Sequence, residues 1–322
     1  MAKCGTIIKG DFMVNQSNVE QIFDCIDASC MTLYEELKMP YLQGITETCN
    51  NILSKSVTEE LSDNAKKQLN ELMKIFDGTD FPKEEIRKAM QLAILKGLKH
   101  SKRSNADITP DTIGLLMTFI LEKLSHKTKK IILFDPLAGT ANLLLTVANN
   151  ISCEAIPIGV DNNIDSYNLA IAMFDIMDYG EGMYYQDTFT FKNFQADAIV
   201  TDFPSSEVIN KHYLPYDVIK YHHNELRDGG YFLALIANDF FEKTEVDGFK
   251  QIISSLYQSI GLITLPNTMF KTGGKSILIL QKLGENVKKV TKFLLAEIPS
   301  FQDSKAVNDA IIRMDGWFTD NL

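Results

Sequence analysis

From Lys130 onward, short β-rich apolar runs alternate with stretches of helical periodicity, and this alternation constrains the fold more than any other feature of the chain. Ile131-Ile132-Leu133-Phe134 reads as a strand and residues 140–148 as a helix. Residues 156–160 form a second predicted strand, followed by a helix over 166–177. Met183-Tyr184-Tyr185 and Ala198-Ile199-Val200-Thr201 are further strands. Residues 231–236 follow a predicted Gly229-Gly230 turn, and residues 262–265 and 276–280 close the series. Strands that alternate with helices imply a mainly parallel sheet covered on both faces. Seven strands fit a Rossmann-like α/β layer, and the short loop between the last two predicts an antiparallel pair at one edge.

The first hundred residues have a different texture. Residues 17–98 read as helical, with Leu69, Leu72, Met73 and Phe76 at i, i+3, i+4 and i+7 and with Ile22, Phe23, Ile26 and Met31 near the same period. Phe81-Pro82-Lys83-Glu84-Glu85 looks like a helix start, with proline in the first turn and acids after it. That helix continues through Met90, Leu92, Ile94 and Leu98. Nothing in this region carries a pattern of chemistry. The polar, basic stretch Lys99-His100-Ser101-Lys102-Arg103-Ser104-Asn105 marks the boundary. An all-helical N-terminal domain is therefore expected over 1–104 and an α/β domain over 105–322, the latter opening with a helix over 113–124.

Charge and cysteine usage narrow the function classes. The 322 residues carry a formal net charge of -10, which argues against autonomous tight binding to nucleic acid. Residues 101–130 are a local exception, with six basic and three acidic side chains. Their cations could meet a phosphate backbone or simply be solvated. Five cysteines (Cys4, Cys25, Cys30, Cys49 and Cys153) include no C-x-x-C pair, so neither a disulfide scaffold nor a zinc site is expected. The N-terminus lacks a signal-peptide pattern, and no run approaches the roughly 20 apolar residues of a membrane span. A cytoplasmic protein is the expectation. His100, His126, His212, His222 and His223 lie outside strand tips and read as surface or loop residues, with no metal set.

In open α/β sheets ligands sit beyond the carboxyl ends of the strands, where strand order reverses. Four sites fall at such positions. Asp135-Pro136-Leu137-Ala138-Gly139-Thr140-Ala141-Asn142 follows the first strand. It lacks both G-x-G-x-x-G and G-K-[ST], so it is neither a dinucleotide fingerprint nor a phosphate loop. An acidic tip suits a cationic ligand without phosphates, such as S-adenosylmethionine, although a tight structural turn would look the same. Asp161, with Asn162 after it, ends the second strand 26 residues later and can accept from ribose hydroxyls; a helix cap is the plain alternative. Asp187 and Thr188 follow the third strand, where an acid can accept from an adenine amino group or simply sit in a loop. Asp202-Phe203-Pro204-Ser205 follows the fourth. A carboxylate there, with the carbonyl before Pro204, can accept both hydrogens of an amino group and orient its lone pair, and methyl transfer needs that alignment more than acid or base.

In this order the motifs resemble the gamma-ordered adenine-N6 DNA methyltransferases, in particular the modification subunits of type I restriction systems and their small YtxK-type class I relatives. The resemblance runs from about Ile108 to Lys282. It implies an S-adenosylmethionine-dependent methyltransferase acting on an amino group of DNA or another macromolecule. On this reading Ile108-Thr109-Pro110-Asp111 begins the motif over the methionine part of the cofactor, so Thr109 and Pro110 join the cofactor set. Asp135, Pro136, Leu137, Ala138, Gly139, Thr140 and Asn142 form the cofactor loop. Asp161 and Asn162 serve the ribose, Asp187 and Thr188 the adenine. Asp202, Phe203 and Pro204 are the catalytic set, with Asp202 also beside the cofactor. Leu265-Pro266-Asn267-Thr268-Met269-Phe270 and Gly273-Gly274-Lys275-Ser276-Ile277-Leu278 resemble the late strand pair that closes the target pocket.

Three departures go with the resemblance. The family's acceptor motif is Asp or Asn, Pro, Pro, aromatic; here Phe203 replaces the first proline and Ser205 the aromatic that would stack on a flipped base. Ala141 stands where the cofactor loop expects glycine. About 40 residues follow Lys282 here, ending in a predicted docking helix around Trp317, and no target-recognition domain is expected among them. Recognition of DNA would then require a partner subunit. The alternative is a protein that binds S-adenosylmethionine through a degenerate acceptor motif and has a regulatory or interaction role.

Overall fold

The computed structural model describes residues 14–105, 108–125, 128–204, 208–209, 212–243, 245–270 and 273–322. Four helices come first: α1 (Gln16–Leu37), α2 (Tyr41–Ser54), α3 (Asp63–Met73) and α4 (Lys83–His100). The buried stripe of α1 is Ile22, Cys25, Ile26, Cys30 and Leu33, so two cysteines act as small apolar residues and Met31 faces outward. Helix α4 starts directly after Pro82, with Glu84 and Glu85 in its first turn facing the positive end of the helix dipole.

The α/β part then runs α5 (Asp111–Leu124), β1 (Lys130–Asp135), α6 (Asn142–Asn150), β2 (Glu154–Asp161), α7 (Ile164–Ile176), β3 (Met183–Tyr185) and β4 (Ala196–Asp202). A short antiparallel pair, β5 (Val208–Ile209) and β6 (His212–Tyr213), precedes α8 (Leu214–Tyr221). The chain continues with β7 (Leu226–Ala237), α9 (Val246–Leu256), β8 (Tyr257–Thr264), β9 (Lys275–Lys282), β10 (Leu294–Glu297) and α10 (Ser304–Asn321). The main sheet has the order β10-β8-β9-β7-β4-β1-β2-β3. All neighbours are parallel except β9, which lies antiparallel between β7 and β8. All seven expected strands are present. The antiparallel pair is not the edge, however: β10, parallel to β8, adds an eighth strand outside it. The Gly229-Gly230 turn also differs, since β7 already begins at Leu226 and carries both glycines at an irregularity opposite Ala196 and Ala198.

Successive strand residues feed opposite cores, as a pleat buried on both faces requires. Leu133, Val200 and Leu235 face α5, α6, α7 and α10, while Phe134, Ile199 and Ile236 face α8 and α9. The N-terminal helices join the first of these cores: α2 packs on α7 and α4 on α6, forming an outer layer. Helix α10 docks Phe318 edge-on against Phe119 of α5, as expected for the region of Trp317. Among the described residues no helix is long and apolar enough to cross a membrane.

Candidate active site

Strand order reverses between β1 and β4: the chain steps outward from β1 to β2 and β3 on one side, and from β4 to β7 on the other. Beyond the carboxyl ends of these strands lies a cavity of about 1030 Å³. Pro136, Leu137 and Gly139 line it after β1, Asp161 and Asn162 after β2, and Asp187 and Thr188 after β3. Asp202, Phe203 and Pro204 line it after β4. The acids at the tips of β2, β3 and β4 therefore share one space.

The remaining sequence-predicted residues stand behind or beside that lining. Asp135 is buried beneath the loop that follows β1, where its carboxylate accepts from the Leu137 amide at 3.0 Å. Burial pushes its pKa up to about 7, against the lowering effect of bonds from Leu137 and Thr201, with Asp202 and Asp161 adding to the rise. Its place is thus under the loop and not on the cavity wall. Ala138 is buried and donates its amide to Val160. Gly139 sits at φ +54 and donates its amide to Asp161 Oδ2 at 2.9 Å, which ties the first motif to the second. Pro110 is exposed and Thr140 half-buried, and neither lines the cavity. Ala141 has φ +61, a left-handed conformation costing a residue with a Cβ about 1–2 kcal/mol, which explains why glycine is expected there.

Thr109 and Asn142 form a brace. Thr109 donates its hydroxyl to Asp202 Oδ2 at 2.8 Å, and its carbonyl accepts from Asn142 Nδ2 at 3.0 Å. Asn142 Oδ1 in turn accepts from Arg87 Nη1 at 2.6 Å. Arg87 of α4 is fully buried and forks onto Glu84, with Asp111 Oδ2 3.0 Å away. Burial alone would lower the guanidinium pKa, but the two carboxylates outweigh it and raise it. A continuous hydrogen-bonded chain therefore runs from the helical layer to Asp202. Sequence reasoning found no chemistry in that layer, because Glu84 and Arg87, three apart on a helix, look like an ordinary surface ion pair.

The acceptor motif has a geometry the sequence did not reveal. The Phe203 ring is fully buried and stacked at 24° on Phe232, so it offers no open face to a ligand, although the residue borders the cavity. Ser205 lies outside the described residues. Lys275, the first residue of β9, points its Nζ at Asp202 Oδ1 (2.5 Å) and at the Phe203 carbonyl (3.2 Å). Aromatic surface comes instead from Phe189 and Tyr221, which meet edge to face at 5.5 Å and both line the cavity.

His222, expected at a surface or in a loop, is wholly buried at the end of α8, with Nε2 2.8 Å from Thr188 Oγ1. Burial lowers its pKa to about 4, so the ring is neutral at neutral pH. The basic boundary segment has one cation committed elsewhere, since Arg103 pairs with Asp165 of α7 at 2.9 Å.

The same fold is seen in a solved structure described as a putative class I S-adenosylmethionine-dependent methyltransferase. Further likenesses to known proteins run along most of the chain. A family profile described as the YtxK N-terminal helical domain matches residues 20–98. The uncharacterized protein YtxK of Bacillus subtilis (strain 168) is 29% identical over 326 residues, covering 95% of this chain and 99% of that protein. A crystal structure of a putative class I S-adenosylmethionine-dependent methyltransferase from Listeria monocytogenes superposes with a TM-score of 0.84 at 28% identity, covering 94% of this chain and all of the other. The methyltransferase subunit of a type I restriction-modification system from Streptococcus thermophilus shares the fold, with a TM-score of 0.62 at 12% identity over 86% of this chain and 71% of that subunit. The resemblance read from the motif order thus extends to the sheet and to the helical layer.

Proposed function

We propose that this chain is an S-adenosylmethionine-dependent N-methyltransferase of the adenine-N6 DNA methyltransferase type, acting on an amino group of DNA or another macromolecule. The observation that carries this reading is the convergence of Gly139, Asp161, Asp187 and Asp202 on one cavity at the reversal of strand order. Their chemistry fits the cofactor. On this reading Asp161 serves the ribose hydroxyls, and Asp187 with Thr188 the adenine edge. Phe189 and Tyr221 supply apolar surface for a base, and the acidic rim suits a sulfonium and an ammonium. When bound, S-adenosylmethionine supplies an electrophilic methyl group.

The protein's own part is alignment. Asp202 and the Phe203 carbonyl are the acceptors for the substrate amine, and they hold its lone pair towards the donor. Thr109 fixes the Asp202 carboxylate. The helical region, 1–104 by our division, shares its core with the sheet and would offer its outer face to any recognition partner. Two measurements test the proposal. Millimolar S-adenosylmethionine should raise the melting temperature, and Asp161→Ala should weaken its binding about tenfold or more, the scale of losing charged hydrogen bonds. Labelled methyl groups should pass to DNA, RNA or protein in a cell extract, and Asp202→Ala should stop that transfer while binding persists. No stabilisation by the ligand at millimolar concentration overturns the reading.

A further inference from the structure

The two acceptors assigned above to a substrate amine already hold a nitrogen. Lys275 Nζ lies 2.5 Å from Asp202 Oδ1 and 3.2 Å from the Phe203 carbonyl oxygen. The other carboxylate oxygen of Asp202 accepts from Thr109. An ammonium presents the same kind of N–H donors as an amino group and adds a charge that pairs with the carboxylate. The Lys275 and Asp202 side chains are only 14% and 16% exposed, so this is no loose surface contact. Lys275 also borders the cavity that contains Asp161 and Asp187.

We propose that Lys275 is an internal occupant of the acceptor cradle, standing in the place of the substrate nitrogen, so that an amine enters only by displacing it. The inference rests on the cofactor reading above. It has an electrostatic consequence that needs no knowledge of the substrate. Methyl transfer requires the donor sulfonium to face the acceptor nitrogen at close range. An ammonium resident at that point therefore opposes the sulfonium with like charge, in a partly buried site where such repulsion is weakly screened. Asp202 offsets part of it. S-adenosylhomocysteine, with a neutral sulfur, is spared. Lys275 thus biases the empty-handed enzyme towards product-like ligand and against the methyl donor until an acceptor displaces it.

Calorimetric titration of both ligands against the wild-type chain, Lys275→Met, Lys275→Gln and Lys275→Arg tests this. Removal of the charge should strengthen S-adenosylmethionine binding relative to S-adenosylhomocysteine by about tenfold, a small part of the like-charge interaction at such distances. Lys275→Arg should keep the wild-type ratio. A lysine that merely braced the loop would change both affinities together and leave the ratio fixed. Binding of both ligands with a ratio unchanged within twofold in Lys275→Met and Lys275→Gln overturns this inference and leaves the cofactor reading standing. Failure of either ligand to bind any of the four proteins brings down both.

Discussion

Asp135 and His222 are two buried titratable groups whose shifts run in opposite senses. The Asp135 carboxyl rises from its ordinary 3.8 to about 7, so the folded state keeps a proton that the unfolded state gives up. Its effect on stability is most favourable below about pH 4 and worsens steadily up to about pH 7. His222 falls from 6.5 to about 4, so the unfolded state takes up a proton the folded state refuses. Its contribution is complete above pH 6.5 and is lost as pH falls towards 4. Between those limits the two effects oppose each other, and substitution should expose the survivor. Thermal unfolding across pH 4–8 should show stability rising more steeply with pH in Asp135→Asn than in wild type, and less steeply in His222→Gln. At this scale the strand-tip acids were legible because each directly follows a strand and so falls at the ligand end of the sheet. The contact made by Lys275 is not legible in that way, although the residue falls in a recognisable motif. It meets Asp202, 73 positions away, only because β9 inserts antiparallel beside β7.

The joints between elements depend on a few tight contacts. A Cβ at Gly182, just before β3, would lie 2.4 Å from the Pro157 carbonyl and 2.6 Å from the Phe174 ring. Gly182→Ala must therefore push β3 from β2 or α7 from the sheet. Its cost should be about 1–3 kcal/mol by denaturant titration, as for other overpacked interiors. Arg87→Met should cost more, about 3–5 kcal/mol, since it leaves Glu84 and Asp111 without their buried cation and Asn142 without its donor. Most of the elements were readable because their period, caps and length agree: Asp111 to Leu124, for instance, follows a proline and holds a continuous apolar face. Strand β10 was not. It is four residues long, exposes Leu295, and becomes a strand only through its ladder to Gly261–Thr264. The β7 glycines misled for a similar reason, since a Gly-Gly pair signals a turn locally, whereas here the pairing with β4 carries the strand through it.

For the whole molecule, the helical layer and the sheet share one continuous core, which makes α1–α4 part of the fold's burial. A chain started near residue 104 would uncover the faces of α6 and α7 that meet α4 and α2. Such a truncation should lose its near-ultraviolet circular dichroism signal and self-associate in sedimentation, while the full chain remains compact. The expected division at 104/105 rests on the polar stretch Lys99–Asn105, and the strand–helix texture starts only at Lys130; the shared interior across that boundary is not readable in sequence, because inter-element contacts leave no local period. The Arg87–Asn142–Thr109–Asp202 relay gives that shared interior a mechanical meaning. A protein that grasped the outer helices and tilted α4 would tug on the very carboxylate proposed to steer the incoming nitrogen, so that engagement far from the pocket would be felt within it as a change of aim.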